Sequence, residues 1–143
     1  MDIYEATQSL LQTAVQSAEP AVSVSAYVLT YDVETDKYML PDFPAVTYNF
    51  QNLTPIASVS GDSDLIRVSL DIECWGDLGQ IDANAKLVRE ALNAKRVAVG
   101  NVEFTLVMLE SRDIAELGLD FKRRYMRFVG LAEIGEENGQ TGL

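Results

Sequence analysis

The sequence has no histidine. That removes the commonest general base at neutral pH, the histidine-dependent nucleophile arrangements and the usual transition-metal ligand. It has one cysteine, Cys74. No disulfide framework can form within the chain, and a zinc site, which needs several nitrogen or sulfur ligands, is excluded. Base is scarce: 11 lysines and arginines stand against 22 aspartates and glutamates, for a net charge of −11. Phosphate backbones and anionic membranes are repelled by such a balance, so no general affinity for either is expected. No apolar run approaches the roughly 18 residues of a membrane span. "MDIYEATQSL" lacks the basic region and apolar stretch of a signal peptide, so the expectation is a soluble product with no export address. Phosphate-cradling glycine motifs are missing as well. No cofactor and no metal are expected, and the residues make no case for an enzyme.

What is present reads as one α+β domain over residues 1–134, followed by a mobile polar tail, "GEENGQTGL", at 135–143. Ile3, Ala6, Leu10, Leu11, Ala14, Val15 and Ala18 form a helical stripe that stops at Glu19-Pro20. A second helix is expected over roughly 79–95, with Ile81, Ala85, Val88, Ala91 and Leu92 inward. Strands are expected at 22–31, from Pro44 through "PAVTYNFQ", at 66–77, at about 102–109 after a turn at Gly100-Asn101, and over "FKRRYMRFVGLAEI" at 121–134. "DVETDKYMLPD", residues 51–64 and "ESRDIAELGLD" read as a polar loop, a loop or projecting hairpin, and an irregular stretch. The architecture that follows is an antiparallel or mixed sheet of about four to five strands with two helices packed on one face.

Within that frame, "IRVSLDIECWGD" at 66–77 is the most informative stretch. Ile66, Val68, Leu70, Ile72 and Cys74 alternate with Arg67, Ser69, Asp71, Glu73 and Trp75, so one face enters a core and the other does not. Cys74 is then an inert buried thiol. Asp71 and Glu73 lie about 7 Å apart on one face, with nothing there to raise either carboxyl for acid–base work. In the last strand, inward Met126 and Phe128 leave Arg123, Tyr125 and Arg127 facing outward. Three readings compete for these rows: a nucleic-acid stripe, a solvated face with modest ion pairs, and complementary patches between copies of the chain. If the two rows lie on different sides of the molecule, identical copies can mate head to tail and close into a ring. The interface candidates are Arg67, Asp71, Glu73, Trp75, Arg123, Tyr125 and Arg127. Two acidic stretches, Asp32, Glu34 and Asp36, then Asp62 and Asp64, have spacings that calcium could use. Neither has the twelve-residue pattern with its closing glutamate, and both read as solvated loops.

Four segments together resemble the tail-terminator, or tail-completion, family of long-tailed bacteriophages, also described as head–tail joining proteins. They are the amphipathic opening helix, the proline-led "PAVTYNFQ", the block "IRVSLDIECWGDLGQIDANAKLVREAL", and the late strand "RRYMRFVGLAEI". The resemblance rests on order and spacing across most of residues 1–134. It implies a small α+β virion subunit, made in the host bacterial cytoplasm, that closes as a hexameric ring on the end of the tail tube. Such a ring stops tube growth and docks the neck or connector. Its partners are copies of itself, the tail-tube protein and the neck or connector protein, with genomic DNA only passing through. The family has no catalytic residues to transfer. On this reading the acidity keeps DNA from sticking in the bore, and Asp32, Glu34, Asp36, Asp62 and Asp64 are the lumen-lining candidates. The neighbouring readings are a connector adaptor or a tail-tube subunit. A small ligand-binding α+β module, monomeric or dimeric with an apolar pocket, is the reading from another class.

Overall fold

Both helices begin where a side chain takes over a backbone amide that the helix itself leaves open. Asp2 accepts from the Glu5 amide at 2.8 Å to start α1 (Ile3–Gln16). Asp77 and Gln80 form a reciprocal capping box at the head of α2 (Leu78–Leu92). The computed structural model describes residues 1–26, 30–39, 42–59, 63–115 and 122–135. Among them, eight strands accompany the helices: β1 (Ser23–Ala26), β2 (Thr30–Asp32), β3 (Lys37–Met39), β4 (Ala45–Val59), β5 (Ser63–Gly76), β6 (Lys95–Val99), β7 (Val102–Ala115) and β8 (Lys122–Gly135).

Six of the strands form one curled sheet in the order β1-β4-β5-β8-β7-β6, and β2 pairs with β3 in a separate two-stranded sheet. The pairing of β1 with β4 is parallel and the rest is antiparallel, so the sheet is mixed. The α+β expectation holds, with six strands in place of four to five. In that sheet the strand missed in sequence is β6. It is short and half exposed at the sheet edge, so it has no clean alternation to read. Outside that sheet, β3 falls in "DVETDKYMLPD", read as a polar loop, and the strand expected at 22–31 holds both β1 and the start of β2.

Three strands are also longer than expected. Residues 51–59 continue β4 and 63–65 begin β5, which selects the hairpin from the two readings of 51–64. Pro55 is tolerated because, among the described residues, β1 pairs with β4 as far as Tyr48 and no strand lies beyond it on that side of β4. β7 runs on to Ala115 through a stretch read as irregular. A bulge between Met108 and Glu110 shifts the side-chain phase beyond Leu109, so that Glu110 and Arg112 join Val107 and Leu109 on the outer face, Leu109 at 66% exposure. The apolar alternation stops at that point while the strand does not. The turn at Gly100-Asn101 joins β6 to β7, with Gly100 in the left-handed region at φ 58°.

One cluster holds the layers together. Ile3, Leu11 and Val15 of α1 and Ile81, Val88 and Leu92 of α2 pack against Val68, Leu70, Ile72 and Cys74 of β5. Phe104 and Leu106 of β7 and Met126, Phe128 and Ala132 of β8 complete it. Both helices therefore cover one face of the sheet. Across that face Arg124 ties three elements together, meeting Asp82 of α2 at 2.7 Å and Asp113 of β7 at 2.7 Å.

Gly130 is required by close approach. It sits on the core face of β8 opposite Leu106, at φ 157°, and a Cβ there would run into the Thr105 carbonyl of β7. Because the obstacle is backbone in the middle of the sheet, it cannot swing aside. Gly130→Ala is expected to destabilise the fold by roughly 2–3 kcal/mol, measured by urea denaturation. An unchanged midpoint would mean the two strands have room to separate.

Candidate assembly surface

The second face of the sheet has no helix over it among the described residues and presents the charged rows read from the sequence. β5 and β8 are neighbours, in a register that sets Asp71 opposite Arg127, Glu73 opposite Tyr125 and Trp75 opposite Arg123. The rows therefore lie side by side on one face. This corrects the premise of the head-to-tail scheme, which placed them on different sides of the molecule. Adjacent strands of one sheet turn their side chains to a common face, so opposite charges in register pair within the subunit.

Asp71 is the centre of that pairing. Arg127 donates to it through Nε at 2.8 Å and through a terminal nitrogen at 3.2 Å, and the Tyr125 hydroxyl donates at 2.8 Å. The Asp71 side chain is almost wholly enclosed, at 8% exposure, whereas Arg127 keeps 34%. Two donors forked onto one carboxylate give a directional, charge-assisted contact. Its electrostatic consequences are consistent. The hydrogen bond to Asp71 raises the Arg127 guanidinium above its ordinary value. Burial first, and the Asp71 hydrogen bond second, push the Tyr125 hydroxyl up to about 12. Two guanidiniums, those of Arg112 and Arg127, lie over the Tyr125 ring at 5.3 and 5.7 Å.

At the other end of the rows Trp75 is 1% exposed. Its indole donates to the Thr47 hydroxyl of β4 at 2.9 Å, Phe43 stacks on it at 5.9 Å between centroids, and Arg123 lies over its ring at 5.0 Å. Arg123 also meets Glu73 at 3.4 Å. Cys74, one residue away but facing the core, is fully enclosed, and burial pushes its thiol up to about 12. That makes it a poor nucleophile at neutral pH.

Of the seven interface candidates, Asp71, Trp75 and Tyr125 are thus enclosed by their own subunit. Glu73, Arg123 and Arg127 are half-buried, and Arg67 is exposed farther along β5. Beyond the charged rows the same face turns apolar. Val107 and Leu109 of β7 and Leu131 of β8 are exposed there, near Arg67, whose register partner is Leu131. Thr47, Phe43 and Arg112 were not found by sequence reasoning. A threonine in a strand and an arginine in a seemingly irregular stretch gave no local signal, because their roles come from strand register.

The lumen candidates sit in two places. Glu34 and Asp36 are exposed in the turn between β2 and β3, with Asp36 in the left-handed region at φ 55°. Asp32 is in β2, where the backbone alone is described. Asp64 is exposed near the start of β5. Asp62 and the tail at 136–143 lie outside the described residues.

No protein-family model matches the chain, and no curated protein matches its sequence. Among solved structures, the chain is similar to one from the virion of a native gene transfer agent particle, with a TM-score of 0.59 and 14% identity. The alignment covers 92% of this chain and 96% of that one. At this identity the likeness speaks for a shared fold.

The geometry ranks the carboxylates of the rows. Asp71→Ala strips the acceptor from the enclosed Tyr125 hydroxyl and is expected to cost roughly 2–3 kcal/mol. Glu73→Ala, at a half-open site whose contact with Arg123 is long, is expected to cost about 1 kcal/mol or less. Equal losses in urea denaturation would show that the Asp71 contacts do not stabilise the sheet.

Proposed function

We propose that this chain is a structural virion protein, a tail terminator whose copies close as a hexameric ring on the end of the tail tube. The ring joins the tube to the neck or connector, and DNA passes through its centre. One observation supports this reading above the others: a fold shared over nearly the whole of both chains with a component of a gene transfer agent virion. The order and spacing of the four segments that resemble the terminator family point the same way.

In this reading the subunit has two differently finished faces. The helices close one. The other is a stiff floor in which Asp71, Trp75 and Tyr125 hold Glu73, Arg123 and Arg127 in fixed positions. Those three, with Arg67 and the apolar Val107, Leu109 and Leu131 beside it, are the groups left to meet a neighbouring copy. A preset charged surface loses little side-chain freedom on association, which favours one geometry over many. The bore takes the acidic turn: Glu34 and Asp36, with Asp32, Asp62 and Asp64, repel the phosphates of passing DNA.

Native mass spectrometry of the protein with tail tubes tests the ring. A single species of about six times the 15.8 kDa subunit on tube ends is the expected result. Open-ended polymers would instead favour a tube subunit, and a monomer or dimer indifferent to tubes would overturn the reading. The bore is tested by Glu34→Lys with Asp36→Asn, asparagine being tolerated in the left-handed turn. Rings should assemble and genome ejection should slow; unchanged ejection would remove these residues from the lumen.

A further inference from the structure

Four polar residues are buried among the described residues: Thr7, Thr47, Asp71 and Asn84. Three are hydrogen-bonded, Thr7 to the Ile3 carbonyl, Thr47 by the Trp75 indole and Asp71 by Tyr125 and Arg127. Asn84 is 4% exposed, and no hydrogen bond from its amide to another group is seen among the described residues; the little surface it keeps opens on the adjoining cavity. An amide placed this way is satisfied only from that space, whereas an apolar residue of the same size would need nothing there.

The amide is not sealed in. Asn84 lines a cavity of about 440 Å³ between the first turns of α2, the chain leading into β1, and Pro44. Gln80, Ala83 and Asn84 form one strip of the helix along the wall. Helical side chains lean toward the N-terminus, which aims Asn84 at the first turn and into the space. The cavity also has Glu19 and Asp77 in its lining and no lysine or arginine. Two carboxylates outweigh the half-unit of positive charge at a helix start, so an anion is disfavoured and a cation favoured. Val22, Pro44 and Ala83 supply apolar wall.

We propose that this cavity is a socket for a guanidinium group on an aliphatic stem, the chemistry of an arginine side chain. The stem lies against the apolar wall. The planar fork, with five donors and no acceptor, reaches the Asn84 amide oxygen and the Glu19 and Asp77 carboxylates together. A compact ammonium has no such fork. The inference stands apart from the ring: it rests on the cavity of the single chain, and the ring can fail without it.

The test uses the full-length protein, reading the ¹⁵N side-chain amide of Asn84 by NMR during titration with butylguanidinium, butylamine and butyrate. Butylguanidinium should move the signal and saturate, butylamine should bind more weakly, and butyrate should do nothing. Glu19→Gln should weaken butylguanidinium binding about tenfold, by loss of a charge-assisted hydrogen bond. Asn84→Leu should abolish binding, measured by calorimetry, while raising the unfolding midpoint. A residue of purely structural importance would lower it. Two sources could present the group, and N-acetyl-arginine methylamide against free arginine separates them. Tighter binding of the capped form assigns a protein side chain; tighter binding of the free form assigns the amino acid itself. No shift with butylguanidinium, an equal shift with butyrate, or a fall in stability for Asn84→Leu would overturn the proposal.

Discussion

The register between β5 and β8 is the constraint on which the molecule depends. It places Ile72 beside Met126 and Leu70 beside Phe128 on the helix side, and Asp71 beside Arg127 on the other. A slip of one residue would turn every side chain to the wrong face, burying Arg127 under the helices and exposing Phe128. The two faces therefore specify the same alignment by different physics. The apolar side does so without direction, through area removed from water. The Asp71 fork does so with direction, because a carboxylate can receive both donors of Arg127 and the Tyr125 hydroxyl only when the strands are aligned. Asp71 is in this sense a register pin, and Gly130 performs a related service by letting β7 lie against β8 without a side chain between them.

Periodicity made the interior legible in the sequence. Val68, Leu70, Ile72 and Cys74, most of both helix stripes, and Met126, Phe128 and Ala132 pack where their spacing placed them; Ala18 does not, since α1 ends at Gln16 and leaves it exposed, and Ala91 is only half-buried. Legibility ended where a local rule was broken for a non-local reason. The side-chain phase changes after Leu109 because a bulge intervenes, and the strand beyond it keeps its pairing through Arg112 and Asp113 without an apolar row to announce it. Pro55 looked like a loop residue because its tolerance depends on the other side of β4 having no strand alongside it there among the described residues. The charged rows were read correctly as facing away from the core. Their mutual position was not readable, since adjacency of β5 and β8 is a fact of topology that no window of residues contains.

The same distinction separates what the surface is from what it does. Pairing across the rows means that the most eye-catching residues of the sequence, Trp75 above all, are spent inside the subunit on Thr47, Phe43 and Arg123. The residues of that face that stay exposed are plainer: Arg67, Val107, Leu109 and Leu131. Asn84 makes the converse point. Nothing in its sequence surroundings distinguishes it from an ordinary helix residue, and only burial beside an open cavity marks it out.

The length of the paired strands has a mechanical consequence. β5, β7 and β8 each span 14 residues, about 45 Å, and β8 is hydrogen-bonded to both of the others along nearly its whole extent. Because ladder bonds run perpendicular to the strands, tension along the strand axis loads all of them in shear and none can break alone. Tension across the strands opens them singly, like a zip. The subunit is accordingly stiff in one direction and yielding at right angles to it, an anisotropy that any larger structure built from it inherits.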